Sequence, residues 1–93
     1  MIRSNQELYE KINNIRELLK KNGGELYAEK LYDALYISNI CTEVFVTLKS
    51  VLKEIMKTDY FRDEKIGSLV QECKDAILQA LVNAGRWREA PDE

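Results

Sequence analysis

The sequence predicts an all-α fold: a single-domain bundle of about four amphipathic, antiparallel helices. Three observations carry that prediction. Apolar residues return every three or four positions in four separate segments, the period of a helix with one buried face. Chain breakers are scarce, with four glycines and one proline, Pro91, near the end. The length, 93 residues, suits one domain, and the gaps between the periodic segments are short enough to join antiparallel neighbours. The expected division is a helical domain over residues 1–85 and a tail over residues 86–93.

The first helix opens at Ser4, with Glu7 three residues on, the spacing of a capping box. Leu8, Ile12, Ile15 and Leu19 share one face, and Leu18 widens the stripe. Lys20 and Lys21 suit the negative end of the helix dipole, and Gly23-Gly24 ends the helix. The second helix is expected from Glu25 to Tyr36 or Ile37, with Leu26, Leu31, Ala34 and Leu35 inward, joined by Tyr27 or Ala28. A boundary follows within residues 37–42, where Ser38, Asn39 and Thr42 compete as caps. The third helix carries Val44, Phe45, Leu48, Val51, Leu52 and Ile55 and is expected to end near Lys57. Its β-branched residues favour a strand locally, but Leu48, Leu52, Ile55 and Met56 do not alternate, so the helical period decides. Thr58 to Arg62 reads as a connector with Asp59 and Asp63 as caps. The fourth helix spans Glu64 to Ala84 on a stripe of Ile66, Leu69, Val70, Cys73, Ile77, Ala80, Leu81 and Ala84, and Gly85 stops it.

Composition removes several function classes. Fourteen basic and sixteen acidic residues give a net charge of -2, which does not favour nucleic acid as a partner. The start of the chain lacks the apolar core of a signal peptide, and uncharged runs such as Ala34 to Thr42 are far below the ~20 residues of a membrane span. We therefore expect a cytoplasmic protein with no membrane partner. Cys41 and Cys73 fall in different elements and do not read as a disulfide framework. Cys73 lies on an apolar stripe, and Cys41, next to acidic Glu43, lacks the positive surroundings of a reactive thiol.

The chain has no histidine. That takes away the usual general base at neutral pH, the His-activated nucleophiles and the Glu-x-x-His motif of di-iron bundles. Two separate cysteines do not make a structural zinc set. No cofactor, metal ligand or catalytic residue is expected. The one catalytic alternative rests on carboxylates. Glu7-x-x-Glu10 and Glu72-x-x-Asp75 each place two acids a helical turn apart. These short patterns resemble the magnesium-binding pairs of the all-α nucleotide pyrophosphatases of the MazG type, and the resemblance implies a magnesium-dependent hydrolase. It covers only those two patterns, and the distance between them departs from that family's layout.

The second helix holds the more distinctive set. Glu25, Glu29 and Asp33 form an acidic ladder at steps of four, which costs about 0.2–0.5 kcal/mol per pair in an isolated helix. Either it is a solvated face or it meets a basic partner. Tyr27, Tyr32 and Tyr36 add amphipathic rings, suited to a bundle edge or to an interface. Ser38 to Glu43 is either a cap for the third helix or a recognition loop, and Trp87, between Arg86 and Arg88, either folds back on the bundle or meets a partner. The run from Leu18 through Ala28-Glu29-Lys30-Leu31 to Thr42-Glu43 resembles small helical proteins of bacteria, and no functional residue follows from it.

The expected function is a small regulatory or inhibitory protein-interaction module, of the adaptor or immunity type. Its candidate interface residues are Tyr27, Tyr32, Tyr36, Glu29 and Asp33, and its partner is another protein or a second copy in a homodimer. A magnesium-dependent nucleotide pyrophosphohydrolase and a purely structural subunit are the alternatives.

Overall fold

The computed structural model describes Ile2 and residues 4–82, the side chain of Cys41 excepted. Four helices follow one another: α1 (Asn5–Lys21), α2 (Glu25–Leu35), α3 (Cys41–Met56) and α4 (Glu64–Val82). A 3₁₀ turn, Asp59–Arg62, precedes α4. Neighbours in the bundle are α1 with α2, α2 with α3, α3 with α4, and α4 with α1, so the helices close a ring around one core. Ala84, Gly85 and the expected tail, Trp87 included, lie outside the described residues.

The ends of α1 show why the chain turns where it does. Ser4, in extended backbone, accepts a hydrogen bond on Oγ from the Glu7 N–H at 3.1 Å, as the capping box anticipates. At the other end Gly23 sits at φ +81°, a left-handed conformation that is cheap only for glycine. It lets the Gly24 N–H reach the Leu19 carbonyl at 2.6 Å and the Gly23 N–H reach Lys20 at 3.4 Å. Those two bonds close a Schellman motif and send the chain back as α2. Asp63 caps α4, its Oδ1 accepting from the N–H groups of Lys65 and Ile66 at 2.9 and 3.1 Å.

The core follows the predicted stripes. Leu8, Ile12, Ile15 and Leu19 of α1 meet Leu31 and Ala34 of α2, Val44, Phe45, Leu48, Val51, Leu52 and Ile55 of α3, and Ile66, Val70, Cys73, Ile77 and Ala80 of α4. Leu35, Leu69 and Leu81 are half-buried at its margin. Two expectations need correction. Leu26 is 63% exposed, because α2 turns Ala28 to the core and Leu26 falls on the far side of that stripe. The small Ala28 side chain brings α1 close, and Arg16 of α1 donates from Nε to the Ala28 carbonyl at 3.2 Å. The start of the third helix falls inside the expected 37–42 boundary, but none of Ser38, Asn39 and Thr42 is its N-cap residue. Ile40, in extended backbone, is its N-cap residue without a side-chain bond, while Ser38 Oγ accepts from the Ile40 N–H and closes a turn ahead of it.

The link between α3 and α4 is tied to the core. Tyr60 and Phe61 pack against the core from the 3₁₀ turn. Gly67 of α4 lies so close to the Phe61 carbonyl that a Cβ would stand 2.6 Å from its oxygen. No glycine signal in the sequence marks that approach, since Gly67 sits inside a helical period.

Candidate protein interface

Helical spacing at 100° per residue places Glu25, Leu26, Glu29, Tyr32, Asp33 and Tyr36 on one side of α2 and its C-cap. All six are exposed. The opposite side, Ala28, Leu31 and Ala34, is buried. Among the candidate residues, then, Tyr32, Tyr36, Glu29 and Asp33 share a single outward surface.

Tyr27 does not join them. It is half-buried, with its ring edge-on to Tyr60 at a centroid distance of 6.1 Å and the Lys30 ammonium 5.5 Å from its centre. It belongs to the edge of the bundle, where it helps hold the α3–α4 link. Lys30 also donates to Glu54 Oε1 of α3 at 2.9 Å. That bond, and the carboxylate charge behind it, raise the Lys30 pKa. Lys30 therefore serves the α2–α3 contact rather than the outer face.

Tyr32 and Tyr36 pack against each other in a tilted arrangement, 4.9 Å between centroids with planes 54° apart. Tyr32 is 48% exposed and Tyr36 72%. The guanidinium of Arg16 lies over Tyr32 at 4.8 Å, on the side facing α1. Arg16 is itself fixed by its bond to Ala28 and by donating from Nη1 to Asn13 Oδ1 at 2.7 Å. A cleft of about 360 Å³ runs beside it, lined by Arg16, Lys20, Glu29, Tyr32 and Asp33. The aromatic pair is thus held in one place from behind while its outer faces remain open, the amphipathic and low-entropy surface that protein interfaces favour.

The apolar surface continues past the end of α2. Ile37, Ile40 and Val46 are exposed, and Ile37 and Val46 line a shallow hollow of about 380 Å³ with Thr42, Glu43 and Thr47. Sequence reasoning gave these residues no interface role. The available signal was the pair Ile37-x-x-Ile40 in a connection, outside any helical stripe. Thr42 and Glu43 of the polar Ser38–Glu43 stretch therefore stand at the edge of an apolar hollow.

The carboxylates of the catalytic alternative have other neighbours. Glu72 forms an ion pair with Lys11 of α1 at 3.3 Å, and Asp75 accepts from Gln71 Nε2 at 3.0 Å. Among the described residues no group of three or more His, Cys, Asp or Glu side chains is placed to hold a metal ion. Cys73 is fully buried, and burial above all, with Glu72 adding to it, pushes its thiol up to about 12. The thiol is protonated at neutral pH and unsuited to nucleophilic attack. No described helix is long and apolar enough to cross a membrane. No family model matches the chain, and no curated protein or solved structure matches it either.

Proposed function

We propose that this chain is a small helical protein-interaction module, regulatory or inhibitory in the manner of an adaptor or an immunity-type protein, acting in the cytoplasm through the outer face of α2. The observation that carries the reading is the exposed Tyr32–Tyr36 pair, braced by Arg16 and continued by Ile37. Large rings left in water on a rigid helix, next to further exposed apolar residues, are the kind of surface that gains by being covered. The bundle is complete without them, since its core is closed by Ala28, Leu31 and Ala34 on this helix. Binding, not catalysis, is what such a face can do.

The experiment is a two-step one. Sedimentation at tens of micromolar reads self-association directly. Proteins captured from the native host are identified, purified and titrated against the wild type and against Tyr32→Glu and Tyr36→Glu. A dimer or a titratable complex that weakens at least tenfold in those variants supports the proposal. A monomer whose complexes ignore both substitutions defeats it.

A further inference from the structure

From the charge pattern around the tyrosines we infer that the occupant of the α2 face is a basic amphipathic helix of another protein, rather than a second copy of this chain. The inference rests on the reading of α2 as a binding surface. Its own support is electrostatic. Glu25, Glu29 and Asp33 run at steps of four along the exposed face, and among the described residues none of them has an ion pair. The nearby cations make no ion pair with the ladder: Lys30 pairs with Glu54, and Arg16 donates to Ala28 and Asn13 and lies over the ring of Tyr32. Lys20 lines the cleft beside Glu29 and Asp33 without pairing with either.

The ladder is symmetric about Glu29. A two-fold contact places the same patch against itself. An antiparallel pairing centred on Glu29 sets Glu29 against Glu29 and Glu25 against Asp33, and a parallel pairing in register sets each acid against its own copy. Both bring three carboxylates to three carboxylates, in an interface where like charges are costly. A helix carrying Lys or Arg at steps of four has the opposite complement. Its basic row meets the ladder while its apolar row covers Tyr32 and Tyr36, on the side of the ladder away from Leu26. The α2 face is about 16 Å long at 1.5 Å per residue, so a partner helix of roughly three turns spans it.

The probe is a pair of fluorescein-labelled amphipathic peptides of about 14 residues, one built from Leu and Lys and the other from Leu and Glu in the same pattern. The Lys peptide is expected to bind at least about tenfold tighter than the Glu peptide, and to weaken about tenfold or more between roughly 50 and 500 mM salt. Backbone amide shifts on titration are expected to cluster on residues 25–37. The double variant Glu29→Lys, Asp33→Lys should lose at least tenfold in affinity. The variant Glu17→Lys, Glu64→Lys changes the net charge equally on the α1–α4 groove and should bind as the wild type does. Equal loss in the two double variants, equal binding of the two peptides, or no binding of the Lys peptide overturns the inference. Shifts on residues 25–37 with the Glu peptide, or a dimer abolished by Tyr36→Glu, overturn the basic partner and leave the α2 interface standing. A monomer that binds neither peptide on α2, and whose captured complexes ignore Tyr32→Glu and Tyr36→Glu, removes both.

Discussion

The Tyr60 phenol donates to the Gly23 carbonyl at 3.2 Å, so the link between α3 and α4 is bonded to the turn between α1 and α2. The two turns therefore lie at one end of the bundle, which fixes the antiparallel order of the four helices. Tyr27 closes the same contact with its ring against Tyr60. Removing the hydroxyl in Tyr60→Phe should cost about 0.5–1.5 kcal/mol, toward the low end because the bond is exposed. Urea unfolding measures it, and an unchanged midpoint would mean that the bond contributes nothing to the folded state.

Gly67 makes a sharper case at the same link. Alanine would ordinarily gain up to ~1 kcal/mol over glycine inside a helix. Here a Cβ meets the Phe61 carbonyl oxygen at 2.6 Å, and backbone cannot swing aside as a side chain can. Gly67→Ala is expected to destabilise by about 1–3 kcal/mol, the cost of overpacking. A stabilised variant in thermal unfolding would show that the link shifts freely.

The buried stripes were legible in the sequence because hydropathy and helical period agree along α1, α3 and α4. Leu48 and Ile77 are both fully buried, as their spacing predicts. Each replacement by alanine should cost ~2–5 kcal/mol. Val46→Ala, on the exposed side of α3, should stay within about 0.5 kcal/mol. Denaturant midpoints of the three variants check the register, and similar losses for all three would refute it.

Less was legible on α2, for a physical reason. Its core contact is made partly by Ala28 and Ala34, whose burial reflects room for a neighbouring helix rather than strong hydropathy. Leu26 outranks both in hydropathy and still faces water, because Leu26 and Leu31 are five residues apart and do not share a helix face. The start of α3 falls within the expected boundary, but its cap was not legible: Ser38 offers its oxygen to a turn two residues on, a local bond that competes with capping. The acidic ladder and the pair Tyr32 and Tyr36 were readable from spacing alone. Spacing leaves Tyr27 between an inward position and the interface, because the choice depends on where Tyr60 arrives from elsewhere in the chain.

Cys73 gives the protein a signed dependence on alkaline pH. Its thiol rises from an ordinary 9.0 to about 12 in the folded chain, chiefly through burial. The folded state then holds the proton more tightly than the unfolded state. The contribution is fully present below pH 9.0 and is lost as pH rises toward about 12. Stability measured by urea between about pH 8 and 10.5 should fall more steeply for the wild type than for Cys73→Ala, since both keep Cys41 and differ only in this proton. Parallel slopes would refute the burial. Mass spectrometry should also find the Cys73 peptide unlabelled by a thiol reagent in the native protein and labelled in denaturant.

The exposure of Tyr32 and Tyr36 leads to a prediction that separates interface from core. Tyr36 follows the last residue of α2 and is 72% exposed, so a carboxylate there stays in water. Tyr36→Glu should leave helix content intact and change stability by no more than about 0.5 kcal/mol. Tyr32→Glu should cost somewhat more, up to ~1 kcal/mol, because it removes the ring under Arg16 and adds an acid one turn from Glu29. Leu31→Glu, by contrast, puts a charge where exposure is 0% and should abolish cooperative folding. Circular dichroism and thermal unfolding of the three variants read the difference. If Tyr36→Glu unfolds the chain as Leu31→Glu does, the tyrosines hold the bundle together and α2 has no free face to offer a partner. If both tyrosine variants fold while binding is lost, the rings act in recognition and not in stability.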